Sequence, residues 1–417
     1  MDRVFLFMGF FAVVFGLFGL FQWRVVRTYR RWVRKALDPT KQDRWLALST
    51  VLLVVFNITL IIRFFIGELG SYDHPIAQAL IVYPSGVFFA AVVLGFLVIT
   101  VVDAGKFLSR VVRFPARAFS RNPAPVYRQP AVDRSRRRFL RLSGSSVIAA
   151  IGATPVLSAV TTARDYQLNR IPVIFPGLPS ELEGFTIAQI SDIHSGVFMT
   201  EDNMREIFEL TNSLSPNLTV ITGDLVDNAD SQIPGLHRAL PVLKADYGVY
   251  ACLGNHDHYA TAEKVVAAVE DRNITMLTNS HQRIPIDGAS LSLIGIDDAG
   301  RGERNFANFD RALDGVDPES LKVLLSHRPD TFPEAKARNI DLMLSGHTHG
   351  GQVGIEIMGL HLNPVYLVHT YARGMYSEEG KYNYVNVGVG MVGVPIRLVR
   401  PEIALLTLTR GASGRPA

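Results

Sequence analysis

A single cysteine, Cys252, occurs in the 417 residues. That excludes an intramolecular disulfide and any cysteine-rich zinc module, and the apolar run before Gly254 marks Cys252 as a packing residue. No internal repeat or low-complexity tract is present. The net charge is only +4. The C-terminal part lacks a basic stripe interleaved with aromatics, so no nucleic-acid partner is expected. The chain is 48% hydrophobic, and most of that excess lies before residue 165.

Four uncharged windows account for the excess: Val4 to Trp23, Trp45 to Ile62, Ile76 to Val102 and Leu142 to Ala163. Each approaches or exceeds the ~18–20 residues that a helix needs to cross a bilayer. Arg24 to Arg44 carries eight Lys or Arg against two acids, Gly67 to Pro75 carries two acids and no base, and Ala104 to Arg141 carries eleven bases against Asp133. By the positive-inside rule the first and third of these segments are cytoplasmic. The expected order is three transmembrane helices over 1–105, a basic cytoplasmic linker over 106–141, and a fourth transmembrane helix or signal anchor over 142–163. The expected location is the cytoplasmic membrane, multi-pass, with everything after residue 165 on the extracytoplasmic side and membrane lipids as partners. "SRRRFLRLSG" (Ser135 to Gly144) resembles the twin-arginine export signal, with Arg136 and Arg137 as the pair, and makes the export machinery an expected partner. A plain positive-inside cluster is the alternative.

From about residue 170 to 410 the pattern is that of a layered α/β domain. "FTIAQISDIH" is a strand with a polar end, and Thr200 to Leu214 is a helix that Thr200 can cap. "LTVITGDLVDN", "GVYACLGNHDHY", "SLSLIGIDD", "KVLLSHRPD" and "DLMLSGHTHGG" repeat one form: a short apolar run, a small residue, then Asp, Asn or His. In such folds polar residues gather at the carboxyl ends of strands.

Collected in order, those ends offer Asp192 and His194, Asp224 and Asp227, Asn255, His256 and Asp257, His327, then His347 and His349. Singly, each has an ordinary use as a helix cap or a turn residue. Metal-type donors on five strand ends together do not. In an extended segment residues i and i+2 share a side, so Asp192 and His194 can chelate one ion. His347 and His349 can each reach one of two ions lying ~3.5–4 Å apart. Imidazole, carboxylate and one carboxamide, without thiolate, suit two divalent ions of Mn, Fe or Zn and argue against copper(I), an iron–sulfur centre or Ca²⁺.

D-x-H, G-D-x-x-D, G-N-H-D, a lone His and G-H-T-H, in this order, resemble the signature of calcineurin-like metallophosphoesterases. "YARGMY" and "VNVGVGMVGVPIRLVRPEI" are similar to C-terminal segments of that family's bacterial membrane-bound or twin-arginine-exported phosphodiesterases. The resemblance covers roughly 180–410 and implies a two-sheet sandwich with helices outside. It further implies that Asp192, His194 and His349 hold one ion, that Asn255, His327 and His347 hold a second, and that Asp224 bridges them. His256 would face the substrate as a general acid, Asp257 would orient it, and Asp227 would support the ligands from behind. The implied activity is hydrolysis of a phosphodiester or phosphomonoester by a metal-bridged hydroxide, on an envelope or lipid-linked substrate that the apolar loop Ile355 to Val368 would suit. That loop can equally be an edge hairpin. A pyrophosphatase acting on a substrate like UDP-2,3-diacylglucosamine and a non-catalytic receptor for a phosphorylated ligand are the alternatives. His258, His361 and His369 stay outside the expected site.

Overall fold

A computed structural model describes residues 2–67, 80–81, 83–118, 162, 164–300, 302–357, 360–393 and 397–411. The chain divides into two compact units, one comprising 1–66 and 79–157, the other 67–78 and 158–417.

The second unit carries fourteen described strands. In chain order these are β1 (Gln167–Ile174), β2 (Thr186–Ile190), β3 (Leu218–Thr222), β4 (Val249–Cys252), β5 (Thr275–Met276), β6 (Ser280–Ile286), β7 (Ala289–Gly295) and β8 (Leu321–Leu325). They continue with β9 (Leu342–Ser345), β10 (Ile355–Ile357), β11 (Leu360–Leu362), β12 (Gly374–Glu378), β13 (Lys381–Val385) and β14 (Glu402–Thr409). Two six-stranded sheets result, with orders β1-β14-β2-β3-β4-β5 and β12-β13-β9-β8-β7-β6, and β10 pairs with β11 in a separate hairpin. β2, β3 and β4 are mutually parallel, as are β7, β8, β9 and β13.

Period-2 alternation explains the layers. Ile187, Val220 and Leu406 of one sheet meet Leu293, Val323 and Leu344 of the other in a single core. Their sequence neighbours face outward. Ile221 and Ala251 pack under Met204, Ile207 and Phe208 of the helix Glu201–Ser213. Ile294, Leu324 and Met343 pack under Phe309, Phe332 and Ala335. Both faces of each central strand are buried, which is why these strands read as unbroken apolar runs. Thr200 caps its helix by accepting from Asn203 N, and Cys252 is a buried free thiol. The expected α/β sandwich with surrounding helices is present.

The described residues of the first unit form helices: α1 (Asp2–Ala36), α2 (Pro39–Gly67) and α3 (Tyr83–Ala118). Phe18 stacks on Phe89 and Phe21 on Phe96, joining α1 to α3. The multi-pass localisation does not hold. Among the described residues one stretch, Pro39–Ile62, is a helix long and apolar enough to cross a bilayer, and a lone helix of this kind is weak evidence of a span. The physical reason lies in the basic segments. Arg24 to Lys35 continue α1 without a break, and Lys106 to Arg117 continue α3. Charges counted as loop residues therefore sit on helices, where Arg24 pairs with Asp103, and with one weak candidate span among the described residues the charge count has no succession of spans to orient. The extracytoplasmic placement falls with it. The window 142–163 (Thr162 apart), the basic stretch 119–141 and the Arg136–Arg137 pair lie outside the described residues.

Candidate metal centre

β2, β3, β4, β8 and β9 all deliver polar residues just past their carboxyl ends. Past β2, β3 and β9 the backbone is not extended. Asp192 (φ 52°), His194 (50°), Asp224 (53°), His347 (70°) and His349 (52°) are all left-handed, a conformation that non-glycine residues adopt at a cost of roughly 1–3 kcal/mol each. The strand-like i, i+2 argument for Asp192 and His194 thus has the wrong backbone. The two side chains still converge, because left-handed turns aim them inward. Backbone bonds hold the turns: Asp192 N donates to Gly223 O, His194 N to Asp224 O and Gly346 N to His327 O.

Three groups of donor atoms converge, each within 4.8 Å of one another: Asp192, His194 and His349; Asp224, His327 and His347; and His194, Asp227 and His256. Asp224 joins the first two. Its Oδ1 accepts from His256 N at 2.8 Å. Its Oδ2 lies 3.6 Å from His194 Nε2 and 3.1 Å from His327 Nε2. One carboxylate oxygen therefore stands between two sets of imidazoles. Asp192 accepts from His347 N and Ser191 Oγ, and its Oδ1 is 3.4 Å from His349 Nε2. His194 Nε2 and His349 Nε2 face each other at 3.0 Å. His327 Nδ1 donates to Thr222 O at 2.9 Å, which leaves Nε2 as the donor atom directed at Asp224.

Electrostatics fit a cation here. Asp192, His194, Asp224 and His327 are at most 1% exposed. Burial disfavours charge on His327, yet the Asp224 carboxylate lifts it to about 10. Burial also opposes the charge on Asp224, but His327 and His194 hold its carboxyl well below the usual range. Burial, and then the neighbouring His327 and His194 charges, push His347 and His349 respectively well below the ordinary imidazole value, toward neutral rings with a free lone pair. The carboxamide oxygen of buried Asn255 has no hydrogen-bond partner, and neither does Nδ1 of His349. An unpartnered oxygen among buried imidazoles and carboxylates has the donor chemistry of a divalent site.

His256 and Asp257 part company. His256 Nδ1 contacts the carbonyl oxygen of Asp227, with the Asp227 carboxylate 3.6 Å away. Asp257, expected to orient His256, instead accepts from the backbone amides of Leu225, Val226 and Gly254. The physical reason is its full burial, which directs its oxygens to unpaired amides of the two turns; burial, together with Asp224, pushes its carboxyl up to about 7. Asp227, and not Asp257, is the residue in contact with the His256 ring.

The sequence reading passed over three residues beside the site. Asp297 and Asp298 follow β7, and Arg328 follows His327. His258 Nε2 bonds Asp297 at 2.7 Å, and Arg328 bonds Asp298 through Nε at 2.7 Å and Nη2 at 3.1 Å. The signal was available in "GIDD", a strand end of the same form as the others. His369, also set aside, lies with its ring 5.6 Å from that of His347.

Comparison with known proteins gives the family. A family model described as calcineurin-like phosphoesterase matches residues 185–351. YkuE, a metallophosphoesterase of Bacillus subtilis, is 32% identical over 66% of this chain and 97% of its own length. A bovine transmembrane protein with a metallophosphoesterase domain is 31% identical over 67% of this chain, which spans 64% of that protein. A metallophosphoesterase of Helicobacter pylori is 30% identical over 58% of this chain and 64% of its own length. With the clustered His and Asp donors already in place, the chain belongs to the calcineurin-like phosphoesterase family and is a metal-dependent phosphoesterase.

Proposed function

We propose that Asp192, His194 and His349 hold one divalent ion and that Asn255, His327 and His347 hold a second, with Asp224 shared between them. The observation that carries this reading is the placement of Asp224 Oδ2 between His194 Nε2 and His327 Nε2, while Oδ1 is tied to backbone. Mn, Fe and Zn all suit the donors. When bound, such ions supply Lewis acidity, which lowers the pKa of water toward neutrality and offsets charge on a phosphoryl group.

The chain's own groups do the rest. A carbonyl only accepts, so His256 Nδ1 carries a proton toward Asp227 O, and Nε2 is the atom left to move a proton at the leaving oxygen. His256 lies edge-on to His194 with ring centroids 4.6 Å apart, which puts it beside the seven residues that would hold the ions and outside that set. Asp257 holds the two turns that carry Asp224 and Asn255. In this reading His256→Ala keeps two ions and loses ~10²–10⁴-fold in turnover on substrates with poor leaving groups. Wild-type turnover of such a substrate by that variant would remove His256 from the reaction.

A second observation bears on the substrate. Leu367 and Val368 are 90% and 75% exposed, immediately before His369, which touches His347. We infer that the phosphoester carries an apolar portion, as a lipid-linked or envelope molecule does. A pyrophosphatase of the UDP-2,3-diacylglucosamine type would use the same ions and differ in its leaving group. Leu367→Ser/Val368→Ser is expected to raise KM for a long-chain phosphoester and leave a short-chain one unaffected. Equal effects on both would remove the apolar-substrate reading.

A further inference from the structure

The turn that carries Asn255 and His256 runs on to Tyr259, which the reaction proposed above does not use. Tyr259 N and Ala260 N both donate to His256 O, at 3.0 and 3.3 Å, so the chain folds straight back on itself. The phenol ring lands on the His256 imidazole, with centroids 4.9 Å apart and planes at 61°. Its hydroxyl accepts from Asn255 Nδ2 at 3.3 Å. The side chain is thus fixed at both ring and tip, yet Tyr259 is 52% exposed. His258, between them, stacks on the ring of exposed Phe306 with centroids 4.2 Å apart and planes at 16°. One short turn therefore anchors two exposed aromatic rings.

A surface tyrosine with no anchor swings freely. One held at two points offers a rigid flat face, and such a face binds another planar group at small entropic cost. Position decides which part of a substrate meets it. His256 Nε2 is the atom left to move a proton at the leaving oxygen, so the group on that oxygen lies beside His256 and hence beside Tyr259. We propose that Tyr259 is a specificity-determining residue whose open face stacks on an aromatic ring in the leaving group. This rests on the two-ion reading above and on the place of His256 in it. The apolar portion inferred for the Leu367 side is then the other substituent of the phosphoryl group.

The test uses the full chain loaded with Mn²⁺, as wild type, Tyr259→Phe and Tyr259→Leu. Both variants lose the hydroxyl contact with Asn255 and only the phenylalanine keeps the ring, so their difference isolates the ring. Ions per chain are counted by mass spectrometry, and affinities for phenylphosphonate and methylphosphonate are measured by calorimetry. Wild type is expected to hold two ions and to favour the phenyl compound roughly 5- to 100-fold, the range for one ring stacked on one aromatic side chain. Tyr259→Phe should keep that preference to within about threefold, and Tyr259→Leu should lose most of it. With diphenyl phosphate as substrate, Tyr259→Leu should raise KM by a similar factor and leave kcat within about threefold, because the stack is present before and during the reaction. A preference kept in Tyr259→Leu, or lost equally in both variants, would overturn the proposal and leave the two-ion reading standing. Fewer than two ions in the wild type would overturn that reading and this one with it.

Discussion

Replacing Gly346 by alanine tests how tightly the donors are packed. A Cβ at this position would lie 1.9 Å from Ser191 Oγ and 2.3 Å from Asp192 Oδ2, where real Cβ atoms essentially never come within 3.0 Å. The backbone of Gly346 is not left-handed, so the effect is one of volume and not of strain. Neither neighbour can yield freely. Ser191 Oγ donates to Asp192 Oδ2 at 2.6 Å, and Asp192 is 0% exposed, so a displaced oxygen finds no water. Overpacking costs about 1–3 kcal/mol and the lost hydrogen bond to a carboxylate about 1.5–3 kcal/mol, which together make about 2.5–6 kcal/mol. Denaturant unfolding of the chelator-treated protein reads this term, and metal analysis of the untreated protein reads the loss at the first ion. Gly177→Ala is the control, since nothing lies within 4 Å of its Cβ position. If Gly346→Ala unfolds within 0.5 kcal/mol of the control and still binds two ions, the close packing of Asp192 against the G-H-T-H turn is wrong.

Chelation should lower the melting temperature, because ions that bind only the folded chain add ~2.7 kcal/mol per site at a hundredfold excess over Kd. A melting curve unmoved by chelator, on protein shown to carry metal beforehand, would count against the ion reading. His258 should impose a pH dependence on stability. Burial opposes its charge, but Asp297 prevails and raises it above its ordinary 6.5. The folded state therefore holds that proton more tightly than the unfolded one. The stabilisation is complete below pH 6.5 and is lost as pH rises through the folded value. His258→Gln should flatten that part of the stability curve, and an unchanged slope above pH 6.5 would refute the pairing.

Most of the catalytic unit was legible because its physics is local. Strands buried on both faces must be continuous apolar runs, and "LTVIT" and "DLMLS" could be nothing else between a turn and a polar end. The donors were legible because five strand ends repeat one form. What escaped is long-range or conformational. His258 meets Asp297 across 39 positions and Arg328 meets Asp298 across 30, and no spacing rule links such pairs. Asp257 looked like a partner for its neighbour His256, yet its oxygens satisfy backbone amides of another turn. The basic segments near the N-terminus looked like loops because charge counting is blind to whether a helix continues through them.

The left-handed residues join these points. Five of the seven proposed ligands occupy a backbone conformation disfavoured by roughly 1–3 kcal/mol each. No ligand-free peptide of this sequence would hold them there, so the remainder of the fold must. The bonds that do so run to chain segments remote from the donors: Val389 N to Ser191 O, Gly390 N to Asp192 O, and Asp257 to the amides of Leu225 and Val226. Arg397, 0% exposed, donates in turn to the carbonyls of Val387, Gly388 and Gly390. The donors are thus held by two sheets and a clamped C-terminal loop, and the strain is carried by the core.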